Sequence, residues 1–243
     1  MNIARVKKLI FPMLLAIMLI VIKYDVLYTA SDISTSLLFI YNSFDYEYLI
    51  DVYSIVIYAI PMALWTLIIT LSCNSFYENY IFLVTRLGGQ KIFKSKLFVK
   101  AVFEIFCLML FTYIFTMAFL CFLGKYSIGS IGIILISFTI NYSIVLFLVL
   151  ITLIFRIYHS FSISIAFTYL IEISLLVIGL FFEYFQLNYF FINNPLMNSI
   201  LRFHNKPGEN NMVISPKGIV INIALIFIVS VLYNILLRKK EEI

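Results

Sequence analysis

Charge is what this sequence has least of. Only 12% of its 243 residues are charged, about half the share usual in soluble domains. Between Tyr24 and Thr85 there is no lysine or arginine at all. Signatures of several chemistries are missing too. No GxxxxGK[ST] phosphate loop occurs, so the chain does not bind ATP in the P-loop manner, and there is no HExxH zinc motif or GxSxG nucleophile elbow. Cys73, Cys107 and Cys121 form an odd set without metal-ligand spacing and read as small buried hydrophobes. The adjacent glutamates, Glu241 and Glu242, sit in the tail rather than in an apolar run, against a paired-glutamate intramembrane protease. These absences argue against intrinsic enzymatic activity. Alanine and glycine are scarce beside Phe, Tyr, Ile, Asn and Lys, the usage of an AT-rich, low-GC bacterial genome.

What is abundant is apolar surface. Hydrophobic residues make up 63% of the chain, more than a water-soluble fold of this length can hide but well suited to a bilayer. Six apolar runs cover residues 9–28, 52–72, 98–122, 131–155, 161–182 and 218–237. Each holds about twenty residues, enough to cross a hydrocarbon core of roughly 30 Å as a helix. The predicted fold is an all-α integral membrane protein of six transmembrane helices forming one transmembrane domain over residues 1–243. The first run is not a signal peptide: it lacks a small-residue cleavage site, and the pattern recurs five times.

The basic residues orient it. Twelve fall on one side: Arg5, Lys7 and Lys8, then Arg86, Lys91, Lys94, Lys96 and Lys100, then Arg156, then Arg238, Lys239 and Lys240. Five fall on the other: Lys23, Lys125, Arg202, Lys206 and Lys217. Basic loops stay in the cytoplasm, so both termini are expected inside, with His159 and His204 on opposite sides of the membrane. The net charge of +5 is then a topology signal with some attraction to anionic headgroups, and not a nucleic-acid footprint.

Two connections are longer than a link requires: the inner stretch 74–97 and the outer stretch 183–217. The inner one opens on helix-cap residues Asn74 and Ser75, has an acidic first turn, and closes with Arg86 before Gly88-Gly89. Phe76, Tyr80, Leu83 and Val84 share a helical face, with Glu78, Asn79 and Arg86 elsewhere. This pattern predicts a short amphipathic helix at the inner surface. It either anchors the loop among headgroups or docks a soluble partner through Phe76, Glu78, Tyr80, Leu83, Arg86 and Lys91.

Six spans, inside termini, a short inner amphipathic segment between spans two and three, and an enlarged outer loop between spans five and six resemble the permease subunit of ABC-2-type transporters. The run Thr85-Arg86-Leu87-Gly88-Gly89-Gln90-Lys91-Ile92-Phe93-Lys94-Ser95-Lys96 is similar to a stretch of small Gram-positive members of that group. The resemblance implies a cytoplasmic ABC ATPase partner that alone binds ATP and Mg, and a second permease copy or a similar permease. It implies residence in the bacterial plasma membrane and short helices dipping back at 184–191 and 197–203, broken by Asn193-Asn194-Pro195. It also implies export of, or immunity against, an antimicrobial peptide or other amphipathic, lipid-like substrate. No cofactor or metal is expected on this chain. With so few residues before the first run, a separate N-terminal interfacial helix is not expected. A six-span substrate-binding subunit of a vitamin-uptake complex is the alternative, although its AxxxA face is not found at Leu14-Leu15-Ala16-Ile17-Met18. A membrane sensor or scaffold is a third reading.

Polar residues inside the runs complete the inventory. Ser160, Ser164, Thr168 and Glu172 recur every fourth residue in the fifth run, continued by Gly179. Such a stripe is either a helix-packing face or the lining of a pathway or permease interface, with Ser164, Thr168 and Glu172 as its polar groups. Lys100 and Glu104 are spaced for an ion pair or a headgroup contact. Asn141 and Tyr142 are placed to hydrogen-bond across helices, and Pro61 is expected to kink its span.

Overall fold

The computed structural model describes residues 3–27, 30–42, 52–79, 90–184, 202–203, 212–213 and 216–241. Its elements are α1 (Ile3–Ile22), α2 (Tyr24–Leu27), α3 (Ile33–Asn42), α4 (Val52–Glu78), α5 (Gln90–Phe122), α6 (Ile131–Tyr158), α7 (Phe161–Tyr184), a two-residue pairing of β1 (Arg202–Phe203) with β2 (Met212–Val213), and α8 (Pro216–Glu241). Helix is what these sequences can afford in an apolar solvent, because it satisfies every backbone N–H and C=O within the segment. Among the described residues, three helices contain stretches long and apolar enough to cross a membrane: Lys96–Phe122, Ile131–Tyr158 and Phe161–Gly179. Ile10–Ile22, Tyr58–Asn74 and Val220–Leu236 are apolar over the part of each helix whose side chains are described. Large side chains such as Phe103, Leu170 and Phe227 are exposed on these helices, as expected of a membrane protein whose outer surface meets lipid rather than water.

Helix α6 is the centre of the bundle. Helices α3, α4, α5, α7 and α8 all pack on it, α1 lies on α5, and α7 also touches α4. Accordingly α6 buries Ile144, Val145, Leu148, Val149, Leu150 and Leu153. Tyr142 and Asn222 add hydrogen bonds from α6 to α5 and from α8 to α6, through Val102 O (3.2 Å) and Ser143 Oγ (3.4 Å). Helix α4 is continuous through Pro61.

Two departures from the sequence expectation stand out. No new helix starts at Asn74: α4 runs unbroken to Glu78, and α5 begins at Gln90, well before the apolar run at 98. The second is α3. Ile33–Asn42 lies outside all six apolar runs, yet it is a helix with Ser36, Leu37 and Leu38 fully buried against α5 and α6.

The α5–α6 turn explains how α3 is placed. Helix α5 ends in a Schellman motif, with Gly124 N–H bonded to Cys121 O, Lys125 N–H to Leu120 O (both 3.0 Å), and Gly124 at φ +87°. The chain beyond it accepts the first free N–H groups of α3, from Ile33 to Ser127 O (2.8 Å) and from Ser34 to Ile128 O (3.1 Å). Asp32 caps the same helix: Thr35 N–H donates to Asp32 Oδ1 at 2.8 Å, and Asp32 N–H donates to Thr35 Oγ1 at 3.2 Å. Ser34 Oγ donates to Asp32 Oδ1 (2.7 Å) and accepts from Ser130 N–H (3.2 Å). Partial burial raises the Asp32 pKa, but the bonds from Thr35, Ser34 and Ser31 outweigh it and leave it below the ordinary carboxylate value. Lys125 Nζ reaches back to Leu27 O (3.0 Å) and Ala30 O. Helix α3 therefore starts beside the start of α6 and runs along it.

Candidate functional site

Where α3 ends, polar side chains from several helices meet in the core. Tyr41 lies between two aromatic rings, 4.4 Å from Tyr113 of α5 and 5.5 Å from Trp65 of α4, centroid to centroid. Its hydroxyl pairs with Thr116 Oγ1 at 2.6 Å, and Trp65 Nε1 donates to Thr112 Oγ1 at 3.3 Å. Thr112 and Thr116 themselves donate to carbonyls one turn back, at Leu108 and Thr112 (both 2.8 Å). Asn42, the last residue of α3, donates to Asn141 Oδ1 of α6 at 3.1 Å and accepts from Ser137 Oγ. Asn141 Nδ2 donates to Tyr113 OH at 2.8 Å, and Tyr113 OH pairs with Ser137 Oγ at 2.9 Å. Asn42, Ser137 and Asn141 are fully buried.

This is a closed network in which each amide serves more than one partner, so its loss would strand several buried groups at once. Asn141 lies ten residues into α6, about 15 Å along the axis at 1.5 Å per residue, deep in what the hydropathy marks as a span. Asn141 and Tyr142 stand out in the sequence as cross-helix hydrogen-bonders, and both are. Asn42, Tyr41, Tyr113 and Ser137 do not stand out, because their partners lie far along the chain and share no short motif with them.

The α7 stripe forms a second polar line. Ser164, Thr168 and Glu172 are all buried. Ser164 and Thr168 donate one turn back, to Ser160 O (2.8 Å) and Ser164 O (2.9 Å), and Thr168 Oγ1 also pairs with Thr152 Oγ1 of α6 at 2.9 Å. Tyr169 OH ties α7 to α4 through Ala63 O at 3.1 Å. Glu172 Oε1 has no hydrogen-bond partner among the described residues. The three residues read as a stripe from sequence are thus brought together, facing α6 and α4 of the same chain.

At the end of the bundle carrying the basic residues, α4 is braced twice. Lys100 Nζ of α5 donates to Ser72 O at 2.9 Å, and Arg156 Nε of α6 donates to Asn74 Oδ1 at 3.0 Å. Asn74 Nδ2 in turn donates to the exposed Glu78 at 2.7 Å. Of the expected docking residues, Glu78 is exposed at the tip of α4, while Phe76 and Lys91 belong to α4 and α5 by their backbones. Tyr80, Leu83 and Arg86 lie outside the described residues, as do the dipping helices expected at 184–191 and 197–203 for nearly all their length. Among the described residues no cluster of His, Cys, Asp and Glu could hold a metal ion.

No protein-family model, curated protein or solved structure matches this chain.

Proposed function

We propose that the chain is the membrane-spanning permease subunit of an ATP-driven exporter, crossing the bilayer six times with both termini in the cytoplasm. It works with a second copy or a similar permease and with two cytoplasmic ATPase subunits, moving a peptide or other amphipathic, lipid-like substrate. The observation that carries this reading is at the inner end. Helix α4 continues to Glu78, past the apolar run that ends at residue 72, and α5 starts at Gln90, ahead of the apolar run that begins at residue 98. The two helices project beyond the apolar layer on the side richest in basic residues, braced by Lys100 and Arg156. Such braced helix ends suit the transmission of a push from a soluble partner into the spans, because helices move as rigid bodies rather than bending continuously.

The test is a mild-detergent pull-down of the tagged chain from its native membrane, with partners identified by mass spectrometry. A stoichiometric P-loop ATPase supports the reading; no ATPase, under conditions that preserve known transporters, favours a sensor or scaffold. Glu78→Lys or Arg86→Glu is expected to weaken ATPase association about tenfold, ~1.4 kcal/mol, while leaving membrane insertion intact. Undiminished recovery with both variants would remove 74–97 from the docking surface. The orientation has its own test. Single cysteines at Ser127 and Asn210 should react with an impermeant maleimide from outside, and one at Lys94 only from inside; a reversal at any of the three defeats the topology.

A further inference from the structure

Glu172 stands apart in the core because no charged side chain on the helices packed against it, α4 and α6, lies at its level. It is 1% solvent-exposed, and its Oε1 has no hydrogen-bond partner among the described residues. Thr66 Oγ1, on the α4 helix against which α7 packs, is the other buried side-chain oxygen without a partner among the described residues. The flanking helices bring no counter-charge to this level. Along α6 no ionisable side chain lies between Tyr142 and Arg156, and along α4 none lies between Tyr58 and Cys73. On α7 itself the neighbouring ionisable group is Tyr169, whose hydroxyl is donated to Ala63 O. A carboxylate in such surroundings would be desolvated without compensation, and a group so placed takes up a proton instead.

The position of Glu172 gives that proton mechanical weight. Helix α7 meets the rest of the chain along one narrow stripe: Ser164, Thr168, Glu172, Leu176 and Gly179 are buried, whereas Phe167, Leu170, Ile173, Val177 and Ile178 are exposed. Glu172 is in the middle of that stripe. We propose that Glu172 is a proton-binding site that governs the docking of α7 on α4 and α6. As a neutral acid it lets the stripe close. When the carboxyl O–H breaks and the proton leaves to water, the new carboxylate requires hydration, and α7 must separate from α4 and α6 to provide it. The inference does not depend on an ATPase partner.

Infrared spectroscopy of the purified full-length chain in lipid vesicles tests it directly. At neutral pH the spectrum should contain the carbonyl stretch of a protonated carboxylic acid, shifted in heavy water and lost in Glu172→Gln. Solvent-facing Asp and Glu are ionised at that pH and do not contribute to it. If the glutamine variant does not fold, the wild type alone decides: the band should bleach as pH is raised, and a neutral-pH spectrum without it overturns the proposal. The second readout is movement. In a background with Cys73, Cys107 and Cys121 replaced, the reactivity of a cysteine at the buried Ser164 toward a membrane-permeant maleimide is taken relative to that of a cysteine at the exposed Ser127, so that the ordinary gain in thiolate with pH cancels, and this ratio should rise several-fold with pH. The added Glu172→Gln should abolish that rise. A ratio that stays constant with pH in the chain retaining Glu172 would overturn the coupling of proton to helix.

Discussion

Gly129→Ala is expected to destabilise the chain by about 2–3 kcal/mol, combining the left-handed backbone penalty with the loss of a helix cap. Gly129 sits at φ +70°, and a Cβ there would lie 2.5 Å from both Asp32 Oδ1 and Ser34 Oγ. Neither neighbour can yield cheaply. Asp32 Oδ1 holds Thr35 N–H, and Ser34 Oγ receives Ser130 N–H, so displacing them uncaps α3 and loosens its seam with the α5–α6 turn. Gly124 supplies the control. It has a similar φ of +87°, but a Cβ there meets nothing within 4 Å, so Gly124→Ala should cost only the backbone term, ~1–2 kcal/mol. Thermal unfolding in mild detergent measures both. Equal losses would mean that the contact between Gly129 and Asp32 contributes nothing.

The second large effect is expected at the buried end of the same helix. Asn141→Leu removes the acceptor for Asn42 Nδ2 and the donor to Tyr113 OH, and stranded buried polar groups cost about 1–3 kcal/mol each. Two considerations compete. Helix-to-helix hydrogen bonds in membranes average only ~0.6 kcal/mol, with a maximum near 1.7, because chains unfolded in lipid find other partners. Against that, each amide here serves two groups and neither is reached by solvent. The upper part of the membrane range should therefore apply. Asn42→Leu combined with Asn141→Leu should fall short of the sum of the single effects by about 1–2 kcal/mol. Strict additivity would show that the two amides do not act as a unit.

How legible each part was in the sequence follows from the range of the forces that build it. The apolar runs at 131–155 and 161–182 reappear as α6 and α7 with ends shifted by only a few residues, since hydropathy is a local property that a bilayer reads directly. Helix ends are governed by other things. Nothing in the composition of Asn74–Glu78 announces that α4 continues: Asn74, which reads as a helix-cap residue, instead accepts from Arg156 across the bundle. Helix α3 escaped notice for a third reason. At ten residues it is too short to span, and Asp25, Asp32, Asp45 and Glu47 around it read as a solvent loop. Its cap, Asp32 with Thr35, is local, but its burial depends on partners that no local window contains. The α7 stripe was readable because a four-residue period survives in the helix; the absence of a partner for Glu172 Oε1 was not.

The far-flung fastening of α3 also has a consequence in time. Tyr41 meets Thr116 75 positions later, and Asn42 meets Asn141 99 positions later. At ~5–20 residues per second of synthesis, the ribosome takes roughly 5–20 s to deliver the partners after the segment itself has emerged. For that interval Ile33–Asn42 has neither its cap-accepting turn nor its polar anchors, and it is too short to settle as a span of its own. It must wait at the membrane surface or in the keeping of the insertion machinery, and it takes its place beside α6 only when α6 has arrived. Helix α3, the third to be made, is thus locked in only once the sixth has been made.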